Sequence, residues 1–376
     1  MKKEATISVI LNIEYIKLKI CFISTDFPPT LGGVASHAHE LAKAMVKLGH
    51  EIHVLTSLVH GSEPEEMMDG IFVHRVKILW QKPFYTWGMA KHIKKLIKDN
   101  SIDLIHVHGM RPLEATKGFN IPVVFTNHTS GFLKRLEKPS ILQGRLKSRL
   151  QHVSLVLAPS YELCDATAKI GYTGPVYFVS NGVDTNKFSA KELENINKEK
   201  TFILARRLVE KNGVVVFAEA LTKIKNPNFK VLIAGVGSEQ QAMQEIFKKA
   251  RIENKVKFIG AVKNSDMPAL YKQADYSVLP SFYEATSITG LESMASGLPL
   301  IGTNVGGIPY LIEDGVTGFL VPSHDANALA ETMDKVLSFD NQKYIQLSLA
   351  SSERAKSKFD WTVIAKQTET YYKQIL

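Results

Sequence analysis

The chain has 376 residues, of which 45% are hydrophobic and 22% charged, a composition typical of globular proteins and too apolar for a disordered one. No apolar run approaches the roughly 18 uncharged residues of a membrane span, and the two cysteines, Cys21 and Cys164, exclude a disulfide framework or a Cys-rich zinc site. The low cysteine content fits a reducing, cytosolic compartment, and the net charge of +9 favours anionic partners: phosphates, nucleic acid or an acidic lipid surface.

At roughly 100–200 residues per domain, the length predicts two domains, or three. The N-terminal residues 1–17 are set apart from them. Their apolar run from Ile7 to Ile13 is followed by Glu14, Lys17 and Lys19 and by no small-residue cleavage site, which makes a poor signal peptide. We interpret residues 1–17 as an N-terminal extension, either an extra edge element or an over-extended start of the reading frame.

In the first half, short apolar runs alternate with helical patterns. Six runs predict strands: Lys19–Ser24, Glu51–Thr56, Gly70–Val76, Ile102–Val107, Val123–Thr126 and Leu155–Ala158. After the first run, apolar residues between Val34 and Leu48 recur at the spacing of one helix face. Short strands separated by helices are typical of βαβ units, so we expect a parallel sheet.

A second series of the same kind begins near residue 201. Its predicted strands are Thr201–Ala205, Lys230–Ala234, Val256–Ile259, Tyr276–Leu279, Leu300–Thr303 and Phe319–Val321. Helical segments lie between them, over Val214–Lys223 and Glu239–Ala250. The stretch Asn181–Lys200 is polar and poor in large apolar residues, which predicts a linker. The predicted fold is α/β, with two doubly wound domains.

Two loops that follow the first strand of each series are suited to phosphate, because ligands of open parallel sheets bind at the carboxyl ends of strands. In the first loop, Gly32 and Gly33 would let the backbone approach an anion at the start of the next helix. The second loop holds three cations, of which Arg offers a forked donor and Lys a point charge: Arg206, Arg207 and Lys211. The alternatives are a simple turn and a solvated charge cluster.

The segment Pro280–Pro299 carries the strongest signal. With Glu284 in the loop after a strand and Glu292 in the following helix, both would face one cleft, and carboxylates accept hydrogen bonds from vicinal sugar hydroxyls. The alternative is two surface glutamates, against which the dense small residues of the segment argue. Gly235-Val-Gly237, after an earlier strand, is only a fragment of the dinucleotide fingerprint and is a weak signal.

Histidines gather at predicted strand ends in the first half. His106 and His108 close one strand, and His128 follows the next, which favours a polar site. No His-x3-His or His-Glu-x2-His pattern supports a metal, and no Asp-x-Asp occurs to chelate a nucleotide-bound divalent ion. Metal binding thus stays an alternative that no sequence pattern supports.

Two basic stretches stand out in the same half. One has lysines at helical spacing: Lys91, Lys94, Lys95 and Lys98. The other, over residues 133–150, interleaves basic residues with leucines and is amphipathic. Such helices can lie on an anionic membrane, or can be ordinary surface helices that pack their leucines on a sheet. No basic motif with interleaved aromatic residues supports nucleic acid as a partner.

Taken together, these motifs resemble the family 4 glycosyltransferases of the GT-B fold, from about Leu18 to the end of the chain. The pieces occur in family order: Gly32-Gly33 with His37, His128, Ala158-Pro159-Ser160, Asn181-Gly182-Val183-Asp184, Arg206 with Lys211, Glu284-x7-Glu292, and Gly306-Gly307. Two departures occur. Ala205-Arg206-Arg207 replaces a Gly-Arg-Leu type start, so either Arg206 or Arg207 could hold the diphosphate. Ala-Thr-Ser-Ile-Thr follows Glu284 in place of a Gly-Phe-Pro type, which leaves the donor sugar open.

The resemblance implies two Rossmann-like domains that face each other across a cleft. Residues 18–184 would form the acceptor-side domain and residues 185–358 the nucleotide-sugar-binding domain. Residues 359–376, with Trp361, would form a last helix that crosses back onto the N-terminal domain.

It also implies site residues. The catalytic set would be His128 near the donor sugar, Glu284 on the transferred sugar, and Arg206 with Lys211 on the diphosphate. Glu292 would bind the ribose and Gly33 would approach the phosphates. The full donor-binding set would be Gly32, Gly33, Arg207, Gly235, Ile259, Ser287, Ile288, Thr289 and Glu292.

The implied reaction is retaining transfer of a hexose-type sugar from a nucleotide-sugar donor to an acceptor hydroxyl, with neither a metal nor another cofactor. The acceptor would be a glycan or a lipid-linked molecule. We expect a cytoplasmic protein, with the basic stretches favouring an anionic membrane surface as a partner and peripheral binding to the inner face of the membrane. The alternatives are a nucleotide-sugar epimerase on the same architecture and a non-catalytic glycan- or lipid-binding protein of this fold.

Overall fold

The computed structural model describes residues 16–30, 32–78, 81, 83–128, 132, 140–192 and 199–376. Nearly all of the predicted extension 1–17 lies outside the described residues. So does the first part of the second basic stretch, residues 133–139. Within the described ranges, no helix combines the length and the apolar character needed to cross a bilayer.

The first sheet has eight strands in the order β3-β4-β2-β1-β5-β6-β7-β8. Its strands are β1 (Lys19–Ser24), β2 (Glu51–Ser57), β3 (Glu65–Met68), β4 (Ile71–Val76), β5 (Leu104–His108), β6 (Val123–Thr126), β7 (Leu155–Ala158) and β8 (Val176–Phe178). All pairs are parallel except β3 with β4. The described helices of this part are α1 (Gly33–Lys47), α2 (Phe84–Asn100), a 3-10 turn (Pro112–Thr116), α3 (Ser140–Leu150) and α4 (Tyr161–Lys169).

The second sheet has six parallel strands in the order β11-β10-β9-β12-β13-β14. They are β9 (Lys200–Ala205), β10 (Phe229–Ala234), β11 (Val256–Gly260), β12 (Tyr276–Leu279), β13 (Leu300–Thr303) and β14 (Gly318–Val321). Its helices are α5 (Val214–Leu221), α6 (Gln240–Ala250), α7 (Met267–Tyr271), α8 (Ile288–Ala295), α9 (Ile308–Leu311), α10 (Ala326–Leu337) and α11 (Asn341–Arg354). Short 3-10 turns span Glu210–Asn212 and Glu253–Lys255, a π-helical turn spans Ala355–Phe359, and α12 (Trp361–Tyr372) ends the chain.

The α/β fold with two doubly wound sheets is confirmed, and every predicted strand is present with bounds shifted by two residues at most. Two edge strands were missed. β3 has the sequence Glu-Glu-Met-Met and is largely exposed, so it has no apolar run. β8 has three half-buried residues and is too short to produce a pattern.

The predicted linker, Asn181–Lys200, is less solvated than its composition suggests. Val183 and Phe188 are buried in the core beneath the second sheet. The segment connects β8 of the first sheet to β9 of the second, and these two residues anchor it in that core.

The chain passes between the two sheets twice, side by side. The Val183 N–H donates to the carbonyl of Phe359 at 2.8 Å, and the Trp361 N–H donates to the carbonyl of Val183 at 3.2 Å. The Thr185 hydroxyl adds a bond of 2.6 Å to the carboxylate of Asp360. These hydrogen bonds thus hold the two connecting segments against each other.

After the second crossing, α12 packs on the first domain. Trp361, Ile364 and Tyr372 are buried in the core that also holds Leu41 of α1. The Tyr372 hydroxyl lies 2.6 Å from Nδ1 of the buried His106, whose Nε2 lies 2.6 Å from the Thr126 hydroxyl. The last helix is therefore bonded to the same strand ends that carry the predicted histidines.

We predict that Tyr372→Phe lowers the melting temperature by a few degrees. It leaves a nitrogen of a buried imidazole without its partner, which costs about 1–3 kcal/mol. The matched control is Tyr371→Phe, because that hydroxyl only accepts a long bond of 3.4 Å from Gln367. Thermal unfolding of both variants checks this, and equal melting temperatures would contradict it.

Candidate active site

The predicted site residues of both domains come together where the strands end. A Cβ built on Gly33 would lie 3.8 Å from Cδ1 of Ile288, so the β1–α1 loop faces the first turn of α8. A Cβ built on Gly32 would have no atom of the described residues within 4 Å, its chain neighbours aside. A small molecule bound at the start of α8 would therefore contact the Gly32–Gly33 loop.

Glu292 is a buried carboxylate held by two side chains. It is 5% exposed, and its oxygens accept hydrogen bonds from the Asn264 amide at 3.0 Å and the Tyr271 hydroxyl at 3.1 Å. Burial raises the pKa of Glu292 to about 7, and the two hydrogen bonds oppose that rise. The side chain is thus oriented before any ligand binds.

The other predicted residues of α8 contribute mainly to its first turn. The Ser287 hydroxyl caps the helix by accepting from the Gly290 N–H at 3.1 Å. The Thr289 carbonyl accepts from the hydroxyls of Tyr271 at 3.3 Å and Ser293 at 2.7 Å. The local structure therefore gives Ser287 a capping role, whatever it contacts in a complex.

Arg206 and Glu284 form an ion pair at the ends of β9 and β12. The Arg206 guanidinium also donates to the Ser281 hydroxyl at 2.6 Å and to the side-chain oxygen Oδ1 of Asn212 at 3.2 Å. The Arg206 side chain is 7% exposed and that of Glu284 20% exposed, so the pair lines the cleft with little access to bulk water. These bonds fix the guanidinium plane.

Arg207 and Lys211 lie differently. Their side chains are exposed, while their backbone carbonyls accept hydrogen bonds, that of Arg207 from the Asn212 side-chain amide at 2.7 Å and that of Lys211 from the Phe282 N–H at 2.9 Å. Of the two arginines that the sequence left open, Arg206 is therefore the one that the fold brings against Glu284.

Gly235 and Ile259 have packing roles. A Cβ on Gly235 would lie 1.9 Å from the carbonyl oxygen of Arg206, so the residue lets the end of β10 approach the loop after β9 closely. The Ile259 side chain packs half-buried against the core of the second domain.

The loop that carries Glu284 is held by a second glycine pair. A Cβ on Gly306 would lie 1.7 Å from the carbonyl oxygen of Glu284, and one on Gly307 would lie 1.7 Å from that of Ala285. The Gly307 N–H donates to the Glu284 carbonyl at 3.1 Å. Gly306 and Gly307 are therefore required by the backbone of the site.

Three imidazoles form a cluster on the N-terminal side of the cleft. Nδ1 of His108 lies 3.1 Å from Nε2 of His128, and the rings of His37 and His128 lie 4.4 Å apart. Burial lowers the pKa of His37 to about 4 and, together with the neighbouring imidazoles, lowers the pKa of His108 and His128 well below 6.5. All three are neutral at physiological pH.

Neutral imidazoles are also the form that binds metals. Ligand atoms of His37, His108 and His128 lie within 4.8 Å of one another, and they are the group in the described ranges where a metal ion could be held. The sequence patterns pointed to no metal ligands because these three residues come from separate segments.

Asn181 joins this cluster to the loop before α8. Its carbonyl oxygen lies 3.0 Å from Nδ1 of His37, and its amide donates to the carbonyl of Thr286 at 2.9 Å. The Thr286 hydroxyl in turn donates to the carbonyl of Pro159. The sequence indicates Asn181 only as part of a motif. It gives no sign of Asn264 and Tyr271, which bond to Glu292, because neither residue belongs to a motif.

Comparisons with known proteins agree with this architecture. Residues 31–187 match the family model "Glycosyltransferase Family 4", and residues 185–354 match "Glycosyl transferases group 1". A glycosyltransferase of Methanocaldococcus jannaschii, described as uncharacterized, is 29% identical over 95% of this chain and 98% of its own length.

Two further relatives are each 27% identical to this chain. A glycogen synthase of Mycobacterium tuberculosis covers 94% of both chains, and a phosphatidyl-myo-inositol mannosyltransferase of Mycolicibacterium smegmatis covers 95% of this chain and 93% of its own.

Among solved structures, Anabaena HepE in complex with UDP-glucose superposes with a TM-score of 0.74 at 21% identity, covering 95% of this chain and 100% of its own. This likeness supports the fold. The two family models adjoin and cover the chain from residue 31 to residue 354. The chain is therefore a glycosyltransferase of group 1 and family 4, built on the GT-B fold.

Proposed function

We propose that the protein transfers a hexose-type sugar from a nucleotide-sugar donor to an acceptor hydroxyl, with retention of configuration and without a metal. The observation that carries the proposal is the pairing of Arg206 with Glu284 beside the buried Glu292, at strand ends that face the Gly32–Gly33 loop. Arg206 supplies a cation for a diphosphate. Glu284 and Glu292 supply carboxylates for two pairs of vicinal hydroxyls, and the Gly32–Gly33 loop lets the backbone approach a phosphate.

Glu292 is suited to a ribose. Asn264 and Tyr271 hold its carboxylate in one orientation, and a carboxylate has lone pairs left to accept from two vicinal hydroxyls. The nucleotide would then lie with its diphosphate at the first turn of α8. The complex of HepE with UDP-glucose supports a nucleotide-sugar as the class of donor.

Arg206 and Lys211 are suited to the leaving diphosphate. Nε of Arg206 is buried and has no hydrogen-bond acceptor within the described ranges, so a phosphate oxygen would satisfy it. Lys211 is exposed and, in the same ranges, forms no ion pair. Cations fixed where negative charge develops stabilise the transition state.

In the proposed step, the acceptor hydroxyl attacks the anomeric carbon from the face that the diphosphate leaves. The bond from this carbon to the acceptor oxygen forms as its bond to the phosphate oxygen breaks, and the departing phosphate takes the hydroxyl proton. Glu284 binds hydroxyls of the transferred sugar. The neutral imidazole of His128 lies beside the sugar and neither gains nor loses a proton.

We expect one nucleoside diphosphate to raise the melting temperature selectively, because a ligand that binds only the folded state stabilises by about 2.7 kcal/mol at a hundred times its Kd. The shift should persist with a chelator and disappear in Glu292→Ala. Glu253→Ala, which removes an exposed carboxylate of the same domain, is the control. Loss of the shift with chelator would refute metal independence, and a full shift in Glu292→Ala would refute the ribose site.

Donor affinity should depend on pH through Glu292. Its pKa is raised to about 7, so the group is largely protonated below that pH and must lose its proton to accept from two hydroxyls. We expect affinity for the nucleoside diphosphate to rise with pH up to about 7, by at most about tenfold per unit, and then to level off. Calorimetric titration of wild type and Glu292→Gln at several pH values separates the contribution of Glu292 from ionisation of the phosphate. In the Gln variant, the affinity should change with pH only as far as the phosphate ionises.

Lys211→Ala should reduce kcat by about 10²–10³-fold, the usual effect of removing one group that stabilises developing charge. Its melting temperature should stay near that of wild type, because the side chain is exposed. Lys223→Ala, also exposed, is the matched control. The assay is release of nucleoside diphosphate from the donor with water as acceptor.

A folded Lys211→Ala protein with full activity would sink the assignment of the diphosphate site. Conversion of the donor into an epimeric nucleotide-sugar, with no nucleotide released, would select an epimerase instead.

A further inference from the structure

One helix of the N-terminal domain exposes an aromatic and basic surface that the donor site does not use. α2 buries one side in the domain core, through Tyr85, Met89, Ile93 and Leu96. Its outer side presents six exposed residues at helical spacing, which we call the α2 face: Phe84, Trp87, Lys91, Lys94, Lys95 and Lys98.

The aromatic end of the α2 face is open to solvent. Phe84 is 54% exposed and Trp87 66% exposed, and their rings meet edge to face with centroids 6.2 Å apart. Contiguous exposed apolar surface marks an interaction site, and Trp is favoured at the boundary between membrane and water. This end is therefore suited to an interface that is apolar on one side.

The lysine end carries charge that the fold leaves free. The one acid of the helix, Asp99, pairs with Lys95 at 3.0 Å. In the described ranges, Lys91, Lys94 and Lys98 form no ion pair, while the nearby acids of β3 are paired within their own hairpin. Three cations in line with an aromatic pair complement a surface of phosphate groups above an apolar layer.

The α2 face also lies near the cleft. β4 runs parallel to β2 and β1, so its end and the start of α2 lie at the edge where the site is built. The Tyr85 ring lies 4.7 Å from the guanidinium of Arg111, which follows β5, and β5 ends at His108 of the histidine cluster. The aromatic end of the α2 face is thus on the acceptor side of the cleft.

We propose that the α2 face docks on an anionic phospholipid bilayer, with Phe84 and Trp87 in the interface and Lys91, Lys94 and Lys98 against lipid phosphates. The acceptor hydroxyl then belongs to a lipid headgroup, or to a sugar linked to one, that the docked cleft faces. This second part rests on the proposed transfer function, whereas docking itself does not.

The test is co-sedimentation of the full chain with vesicles of phosphatidylcholine alone and with equimolar phosphatidylcholine and phosphatidylglycerol. We expect binding to the anionic vesicles only, weakened by salt. The triple variant Lys91→Gln, Lys94→Gln, Lys98→Gln should bind at least about a hundredfold more weakly, from about fivefold per lysine. Its control removes the same charge from exposed lysines of the other domain: Lys248→Gln, Lys249→Gln and Lys257→Gln.

Trp87→Phe supplies an independent readout, because it keeps an aromatic ring but removes one of the three tryptophans of the chain, the others being Trp80 and Trp361. We expect brominated lipids to quench tryptophan fluorescence of the wild type by a larger fraction than that of Trp87→Phe, and equal fractions would contradict insertion of Trp87. Thermal unfolding and the nucleoside diphosphate shift serve as folding and donor-site checks on every variant, since no residue of the α2 face belongs to the donor site.

Absence of wild-type binding to anionic vesicles at low salt would overturn docking and leave the donor-site proposal intact. Binding that survives in the lysine triple variant, or falls equally in its control, would show a non-specific charge effect and also overturn it. If the protein binds vesicles but no nucleoside diphosphate raises its melting temperature, the proposed transfer function is refuted while docking of the α2 face is still supported. Capture of an acidic protein without vesicle binding would select a protein partner.

Discussion

The arrangement of the cleft depends on the side-chain amide of Asn181. Its side-chain oxygen bonds to His37 of the first domain, and its side-chain N–H donates to the Thr286 carbonyl of the second. The residue itself lies at the first crossing between the sheets. Leaving a buried amide or imidazole without its partner costs about 1–3 kcal/mol, so the two domains cannot separate here without replacing both bonds by water. The facing of Gly33 and Ile288, and with it a site built from two domains, follows from this link.

Within the second domain the corresponding constraint is backbone contact. Gly213, Gly235, Gly306 and Gly307 each face a carbonyl oxygen that a Cβ would meet at 1.7 to 1.9 Å. These approaches press the loops after β9, β10, β12 and β13 together, which is why Arg206 can reach Glu284 across the strand ends. Gly306 and Gly307, which the sequence shows as a motif of the family, thus allow one loop to pack on another.

The strands were predictable because a parallel sheet is buried on both faces and its strands appear as apolar runs, whereas the edge strands β3 and β8 lack them. Glu284 and Glu292 were predictable as a pair, but their surroundings were not. Asn264 and Tyr271 reach Glu292 from β11–α7 and α7 through tertiary packing alone, and no spacing in the sequence connects them. The choice between Arg206 and Arg207 likewise depends on the direction in which two adjacent side chains leave the backbone, which composition does not encode.

The charges of the site are balanced before a donor arrives. Arg206 is neutralised by Glu284, the histidine cluster is uncharged, and the raised pKa of Glu292 leaves it partly protonated near neutral pH. The exposed Arg207 and Lys211, which follow β9, form no ion pair among the described residues. Burying a charged pair is costly unless its members are bonded, and the bonds of Arg206 to Glu284 and Ser281 meet that requirement without a ligand. In the proposed reaction, a bound diphosphate would add negative charge, which Lys211 would stabilise as the bond to the sugar breaks.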